Sequence, residues 1–323
     1  MKVVALAGGV GGAKLVDGLA KILPIDDFTV IVNTGDDFDH FGLRICPDID
    51  TVCYTLAGIA NQETGWGRGD ETWQVLGSIS QLGGPTWFQL GDQDVGVHLE
   101  RTRLLSEGIS LSEIISRFCK IWGIEIRVIP MSNSPVSTIV HTHEGDLPFQ
   151  DYFVKRKCKP HVMGFSFKGV EHALPAPGVL ETLNAAELII ICPSNPWVSV
   201  DPIFSVPGIK DVISDRKQRS VVVAVSPIIK GATIKGPAAK MFSEMGIDPS
   251  ALSVAEHYRS KYGHEVLTGF VYDSLDAELS KLLDEMGIET LKTNTIMNDT
   301  QDRIRLAEKV IRFGNSLLQP KNI

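Results

Sequence analysis

The stretch Val3–Leu23, VVALAGGVGGAKLVDGLAKIL, decides the fold of this chain. Its apolar run Val3–Ala7 stops at a glycine, as a buried strand does before a turn, and Ala13–Leu23 has the apolar spacing of a helix. The next apolar run, Thr29–Val32, predicts a second strand. Strand, glycine-rich turn, helix and strand form a βαβ unit, so we expect the two strands to pair in parallel.

The same pattern returns in the second half of the chain. Leu188–Cys192 and Val221–Val225 are apolar runs that follow predicted helices and end at proline-containing turns. We expect both to be inner strands of the same sheet. The sequence therefore predicts an α/β fold with a mainly parallel sheet and additional helical insertions. We expect one large α/β domain over residues 1–323, with 231–263 as a helical excursion from it.

Composition and charge exclude several classes of protein. The chain has 323 residues, 43% of them apolar before glycine is counted, which argues against intrinsic disorder. A formal net charge of −8 argues against general nucleic-acid binding, and no apolar run approaches the ~20 residues of a membrane span. There is no signal-peptide pattern, and five cysteines without CxxC spacing indicate reduced thiols. We therefore expect a cytoplasmic protein, and the apolar helices of its last third indicate a homodimer.

The glycine-rich turn after the first strand is a candidate anion site. Backbone N–H groups of such a turn approach an anion closely, and the helix dipole assists. The turn lacks the Gly-Lys-Ser/Thr ending of a Walker A loop, and Asn33 stands where a dinucleotide-binding fold carries its ribose-binding acid. We favour a phosphate-binding turn of neither standard type over a tight turn without a ligand. The candidate residues are Gly9, Val10, Gly11, Gly12 and Lys14.

Aspartates cluster after the second predicted strand. They stand in NTGDDFD (33–39) and RICPDIDT (44–51), at the sheet edge where open α/β folds bind ligands. Clustered carboxylates repel one another, and hard oxygen ligands beside a phosphate favour Mg²⁺. The alternative is a solvated acidic loop in which Asp48 or Asp50 caps a helix over Thr51–Ile59. For Asp39 that alternative is favoured.

Two tryptophan-containing segments follow. Gly65–Trp73 and Thr86–Asp94 hold three of the five tryptophans among glycines, amides and charged residues. Such rings wall a flat heterocycle or simply pack a loop. His98, Arg101 and Arg103 come next on a predicted helix, where the arginines face either a phosphate or solvent.

Polar residues also follow the two inner strands of the second half. Ser194 and Asn195 come after one strand, and Ser226 and Pro227 come after the other. They would lie where a nucleotide binds, although X-Pro turns have the same composition. The histidines at the positions His141, His143, His257 and His264 lack metal-ligand spacing.

Taken together, these segments resemble the 2-phospho-L-lactate transferase family. The resemblance rests on GGVGGAK (8–14), NTGDD (33–37), RICPDIDT (44–51), WFQLGDQD (87–94), PSNP (193–196) and SPII (226–229), in this order. It implies a Rossmann-like three-layer core. It also implies transfer of a 2-phospholactyl group from lactyl-2-diphospho-5'-guanosine, or of the enolpyruvyl analogue, to 7,8-didemethyl-8-hydroxy-5-deazariboflavin. GMP is released, Mg²⁺ is required, and the product belongs to coenzyme F-420 biosynthesis.

The resemblance implies roles by position. Asp50 and Gln89 correspond to acceptor-binding positions, with Trp87 against the acceptor, and Asp36 and Asp50 to metal ligands. The expected catalytic residues are Asp36, Asp37 and Asp50, of which Asp37 or Asp50 orients or deprotonates the acceptor hydroxyl. The expected nucleotide-binding residues are Gly9, Val10, Gly11, Gly12, Lys14, Ser194, Asn195, Ser226 and Pro227.

Two other functions stay open on the sequence. A non-catalytic, nucleotide-sugar-binding regulator of the gluconeogenesis-factor family shares the glycine-rich opening. An NAD-dependent oxidoreductase shares the βαβ unit, but Asn33 at the ribose position counts against it. The three-carbon acid of the donor is open too, since lactyl and enolpyruvyl groups differ by atoms that no motif reports.

Overall fold

The computed structural model describes residues 1–215, 220–263 and 266–319. The strands in these residues are β1 (Val3–Ala7), β2 (Phe28–Val32), β3 (Phe38–His40), β4 (Leu43–Ile45), β5 (Arg127–Pro130), β6 (Ser137–Thr142), β7 (Gly145–Pro148), β8 (Val162–Lys168), β9 (Leu188–Ile191), β10 (Val221–Val225), β11 (Ile228–Ile229), β12 (Ala232–Thr233), β13 (Gly269–Asp273) and β14 (Glu289–Thr293). The α-helices are α1 (Gly9–Ile22), α2 (Pro47–Leu56), α3 (Gln74–Gln81), α4 (Asp92–Ser106), α5 (Leu111–Ile121), α6 (Val179–Ala185), α7 (Asp201–Ser205), α8 (Ile209–Ser214), α9 (Ala238–Glu244), α10 (Ala251–Tyr262), α11 (Ser280–Glu285) and α12 (Thr300–Leu318).

The central sheet has seven strands in the order β14-β13-β10-β9-β1-β2-β5. Every pairing in it is parallel, and Val3 of β1 lies opposite Phe28 of β2 and Leu188 of β9. The chain adds strands on one side of β1 up to β5 and then returns to its other side at β9. Open α/β sheets bind ligands at such a reversal, outside the carboxyl ends of the strands. The predicted α/β fold with a parallel sheet is confirmed.

Helices cover both faces of the sheet, which gives the three layers. Side chains alternate along β1, so Val3 and Ala5 pack with α1, α2 and α12, while Val4 and Leu6 pack with α6, α8 and α10. Fully burying one such aliphatic side chain contributes about 1.5–3 kcal/mol. The contiguous apolar runs that predicted the inner strands follow from burial on both faces.

The last third of the chain differs from the prediction in its strands. β13 and β14 extend the sheet but were not expected, because β13 begins with a glycine and ends with Asp273, and β14 is the half-exposed edge strand Glu289–Thr293. Apolar residues at three- and four-residue spacing predict one helix over Asp276–Met286, and this prediction is wrong in its first half. Asp273 accepts a hydrogen bond from the Leu275 N–H at 2.8 Å and starts a 3-10 turn, from which α11 begins only at Ser280.

Other local predictions are confirmed. The sequence Ser110-Leu111-Ser112-Glu113 predicts a capping box at a helix start, and Ser110 and Glu113 form that box at the start of α5. The stretch 231–263 is mainly helical, and Val254 and Tyr258 of α10 belong to the core on one face of the sheet. Its status as an excursion from one domain stays a prediction, and His264 lies outside the described residues. None of the helices in the described part of the chain has the length and apolarity to cross a membrane.

Candidate active site at the carboxyl edge of the sheet

The glycine-rich turn joins β1 to α1 at the reversal point of the sheet. Ser194, which follows β9, donates its hydroxyl to the Gly8 carbonyl oxygen at 2.7 Å and lies 3.3 Å from the Gly8 nitrogen. A Cβ atom on Gly11 would stand 2.3 Å from the Pro193 carbonyl oxygen, and one on Gly12 would stand 2.7 Å from the Ser194 hydroxyl. At position 11 the close atom belongs to the backbone, so only glycine fits there, and at position 12 a side chain would displace Ser194. α1 begins at Gly9, four residues before the predicted start, so the turn is the first turn of the helix.

Asp48 binds this turn to the second strand. Its carboxylate accepts hydrogen bonds from the Gly9 N–H at 2.8 Å and from the Asn33 amide at 2.9 Å. The Asn33 side-chain oxygen accepts from the Gly35 N–H at 2.8 Å. Asn33 therefore positions the loop after β2 instead of binding a ribose.

The acidic loop is not solvated, except at one residue. Asp36, Asp37, Asp48 and Asp50 are all buried, whereas the Asp39 side chain is 64% exposed and pairs with an arginine. α2 begins at residue 47 and not at residue 51, so Asp48 and Asp50 both lie in its first turn. Neither side chain forms the N-cap contact of the alternative interpretation.

Asp36 and Asp37 are the carboxylates without sufficient partners. In each, Oδ1 is buried and has no hydrogen-bond partner. Burial raises the pKa of Asp37 to about 8. Burial, with the charges of Asp48 and Asp37, raises the pKa of Asp36 well above its ordinary value, and burial raises that of Asp48 to about 6. A carboxylate in this state is stabilised by a cation.

Asp50 has a different environment. Both of its oxygens contact the guanidinium of Arg101, with Arg101 Nη1 at 3.1 Å from Asp50 Oδ2, and the Arg101 side chain is fully buried. His98 Nδ1 accepts from the same guanidinium at 3.2 Å, and His98 Nε2 lies 3.4 Å from Asp94 Oδ1. Tyr54 donates its hydroxyl to Asp94 at 2.6 Å. Burial raises the pKa of Asp50, and Arg101 offsets part of that rise.

The donor set of this edge fits a hard divalent cation. No group of three or more His, Cys, Asp and Glu side chains in the described ranges converges as a complete metal site. Mg²⁺ commonly takes one or two carboxylates and completes its shell with water and substrate phosphate. The unpartnered oxygens of Asp36 and Asp37 suit that mode, whereas the oxygens of Asp50 already face Arg101. The assignment of Asp36 and Asp50 as metal ligands stays a prediction.

An aromatic cluster lies on the β3–β4 hairpin, directly after the acidic residues. The Trp87 ring is 5.0 Å from the His40 ring and 6.1 Å from the Phe38 ring, and Phe88 packs edge-on against Phe38 at 4.9 Å. Lys155 Nζ lies 5.6 Å from the Trp87 ring centroid. The half-buried Trp87 thus belongs to a wall of aromatic rings beside the acidic cluster.

Gln89 lies in a neighbouring small cavity. The cavity has a volume of about 60 Å³ and is also lined by Arg68, Trp73 and Asp94. Hydrogen bonds join the N-termini of α3 and α4 beside this cavity. Glu71, which precedes α3, accepts from the Asp94 N–H at 2.9 Å, and Asp92 of α4 accepts from the Val75 N–H at 3.0 Å. The structure therefore brings the segments 65–73 and 86–94 together.

The remaining predicted nucleotide-binding residues already have protein contacts. Asn195 accepts from the Trp197 N–H at 3.0 Å, and the Ser226 hydroxyl closes a turn with Ile228, before which stands Pro227. Lys14 donates to the Met297 carbonyl oxygen at 2.7 Å. Of this set, Ser194 is the residue that the structure places directly on the glycine-rich turn.

Comparison with known proteins identifies the family. The model of the family 2-phospho-L-lactate transferase CofD matches residues 3–296. The chain belongs to the CofD family. It is 39% identical over 322 residues to a phosphoenolpyruvate transferase of Streptomyces griseus, covering 98% of this chain and 99% of that protein. It is 36% identical over 317 residues to a 2-phospho-L-lactate transferase of Methanosarcina barkeri, covering 98% of this chain and all of the relative.

The fold of this CofD-family transferase also occurs in a solved structure. A crystal structure of a UPF0052-family protein from Bacillus halodurans superposes with a TM-score of 0.65 at 16% identity, covering 96% of this chain and 98% of the other. This likeness shows the shared fold.

Sequence reasoning missed two features of the site in this CofD-family chain. Asp48 was considered a helix cap, yet it joins the glycine-rich turn to Asn33. Arg101 was left between phosphate and solvent, yet it pairs with the buried Asp50, while Arg103 is on the exposed side of α4. The signal available in the sequence was the spacing of His98 and Arg101, three residues apart on one face of a helix.

Proposed function

We propose that this CofD-family transferase moves a phosphorylated three-carbon acid from its guanosine-diphosphate-activated form to 7,8-didemethyl-8-hydroxy-5-deazariboflavin, releasing GMP, in coenzyme F-420 biosynthesis. One observation carries the proposal. Two buried carboxylates that each keep one oxygen without a hydrogen-bond partner, Asp36 and Asp37, stand beside a glycine-rich helix start at the reversal point of a parallel sheet. Relatives that align with the whole chain and are named phosphoenolpyruvate and 2-phospho-L-lactate transferases support it.

The reaction is a displacement at phosphorus. The ribityl hydroxyl oxygen of the acceptor forms a bond to the phosphorus that carries the acid, and the bond from that phosphorus to the bridging oxygen of the diphosphate breaks. GMP leaves with the bridging oxygen, and the hydroxyl proton passes to a carboxylate. Catalysis of such a step depends on positioning and on neutralising phosphate charge.

The donor would lie on the glycine-rich turn. The first turn of α1 offers backbone N–H groups and the positive end of the helix dipole, and Gly11 and Gly12 keep it free of side chains. Ser194 fixes the turn against β9. Lys14, in the next turn of α1, would add a positive charge near the diphosphate.

Mg²⁺ would be held by Asp36, with Asp50 as the second candidate. Asp36 fits the ion because its buried Oδ1 has no hydrogen-bond partner. When bound, the ion would neutralise charge on the phosphate groups.

The acceptor would bind between the aromatic wall and the acidic cluster. Trp87 would contact the deazaflavin ring, and Gln89 and Asp50 would bind its polar groups, with Asp50 fixed by Arg101. Asp37 takes the hydroxyl proton in this proposal, because a general base acts best when its pKa lies near the working pH, and burial raises the pKa of Asp37 to about 8.

The test supplies both donors side by side. Purified protein is incubated with the deazaflavin, Mg²⁺ and either lactyl-2-diphospho-5'-guanosine or its enolpyruvyl analogue, and the products are separated by chromatography and weighed by mass spectrometry. We expect equal amounts of GMP and of the deazaflavin phosphodiester with one of the donors. Absence of both products with either donor would refute the proposed function.

A further inference from the structure

Lys235 connects a distant part of the chain to the loop over the glycine-rich turn. Its ammonium group donates hydrogen bonds to the Thr64 carbonyl oxygen and, at 3.3 Å, to the Glu63 carbonyl oxygen. Both carbonyls belong to the loop 61–69, where Gly65 has a φ of +76° that favours glycine. The contact therefore joins residues about 170 positions apart.

The loop lies directly on the first turn of α1. A Cβ atom on Gly65 would stand 2.8 Å from Val10 Cγ1 and 2.9 Å from Lys235 Nζ. The Lys235 ammonium is thus a neighbour of Val10, which is within the turn proposed to hold the diphosphate. None of the motifs that predicted the site includes residue 235, so its place beside the turn follows from the fold alone.

Several cationic side chains lie close together beside this turn. Burial, followed by the charges of Arg303 and Lys235, lowers the pKa of Lys14, and the charge of Asp302 offsets part of that change. Arg303 is paired with Asp17 at 2.9 Å. In the part of the chain that the structure describes, Lys14 and Lys235 have no ion-pair partner and donate to backbone carbonyls. Two ammonium groups whose charge is not neutralised suit a polyanionic ligand.

We propose that Lys235 binds the diphosphate of the donor and exchanges its loop carbonyls for phosphate oxygens when the donor arrives. The inference rests on the proposed function for the identity of the donor. The exchange is favourable because phosphate oxygens carry the negative charge that the loop carbonyl oxygens lack, so the ammonium gains an ionic attraction in addition to its hydrogen bond. Thr64, in the loop that Lys235 would release, also lines the cavity that contains Gln89. Donor binding would therefore change the position of a residue on the acceptor side of the site.

Calorimetric titration of GDP and of inorganic diphosphate tests this role. The variants are Lys235→Met, the charge-conserving Lys235→Arg, and the control Lys230→Met, five residues earlier in the turn between β11 and β12, whose exposed ammonium pairs with Glu278. At 50 mM NaCl we expect Lys235→Met to weaken both ligands at least about tenfold, Lys235→Arg to stay within about threefold, and Lys230→Met to match the wild type. Because exposed charge contacts are screened by salt, the loss in Lys235→Met should shrink to under about threefold at 500 mM NaCl.

Three results would overturn the proposal. One is wild-type affinity of Lys235→Met for both ligands, another is a wild-type protein that binds no diphosphate, and the third is a loss that does not change with salt, as a purely structural contact would give. The proposed function fails differently, through a wild-type protein that forms no GMP from its substrates.

Discussion

Replacing Asp37 with asparagine should stabilise the folded protein near neutral pH while lowering transferase activity. The Asp37 carboxyl is buried, its Oδ1 has no hydrogen-bond partner, and burial raises its pKa to about 8. Asparagine has nearly the same shape and does not titrate. We expect the wild-type carboxyl to lower the stability of the folded protein, because activity requires a carboxylate at this position.

The pH dependence gives the size of the effect. The ordinary pKa of the carboxyl is 3.8, so between about pH 4 and pH 8 the folded state holds the Asp37 proton more tightly than the unfolded state does. The unfolding free energy that this group contributes therefore falls as the pH rises through that window, by about 1.4 kcal/mol per unit. From pH 5 to pH 7, the unfolding free energy of Asp37→Asn should therefore rise by about 3 kcal/mol relative to that of the wild type.

Urea unfolding in EDTA at pH 5, 6 and 7 measures this gain. Asp39→Asn is the matched control, because Asp39 lies two residues further along the chain, in β3, with an exposed side chain, and its profile should parallel the wild type. Adding Mg²⁺ at pH 7 should stabilise the wild type more than Asp37→Asn. Parallel pH profiles for Asp37→Asn and the wild type would refute the reasoning about burial.

Three further substitutions test other parts of the site. Arg101→Met leaves Asp50 buried without its partner and should lower the unfolding free energy by about 3–5 kcal/mol in urea at pH 7. Adding Asp50→Asn should recover part of that loss. An unchanged urea midpoint in Arg101→Met would contradict the role of the pair. Gly11→Ala places a Cβ atom 2.3 Å from a carbonyl oxygen and should weaken GDP binding at least about tenfold by calorimetry. Gly77→Ala, in open space on α3, should leave GDP binding unchanged and raise the unfolding free energy by up to about 1 kcal/mol. Equal changes in GDP affinity for the two variants would count against the close approach at Gly11. Trp87→Ala should raise KM for the deazaflavin about tenfold in steady-state kinetics and leave KM for the donor unchanged, since an aromatic pair adds about 0.5–1.5 kcal/mol beyond its buried area; an equal rise in both would place the ring elsewhere.

The inner strands and the glycine-rich turn were predictable because local pattern and global fold agree there. Strands buried on both faces read as apolar runs, as Val221–Val225 does, and that strand has its predicted limits. The edge strand Glu289–Thr293 was missed because half-exposed positions leave no such run. Its place depends on parallel pairing with β13, which is a long-range contact.

The site was predictable in composition but not in contacts. The sequence indicated that acids follow β2, and the structure places Asp36 and Asp37 there, buried. Which carboxylate keeps free oxygens depends on partners far along the chain, as Arg101 is for Asp50. Residue spacing within one motif does not contain that information, so Asp48 and Asp50 could not be distinguished before the fold was known.

The central claim is that a divalent cation on buried aspartates beside the glycine-rich turn allows the transfer. Mg²⁺-dependent GMP release by Asp36→Asn, with Asp39→Asn as control and circular dichroism to verify folding, tests it most directly. The account predicts that Asp36→Asn is folded and at least about 100-fold slower, the order of effect seen when one electrostatic contact to a transition state is removed, while Asp39→Asn keeps the wild-type rate. A wild-type rate in Asp36→Asn, or undiminished GMP release by the wild type in EDTA, would contradict it.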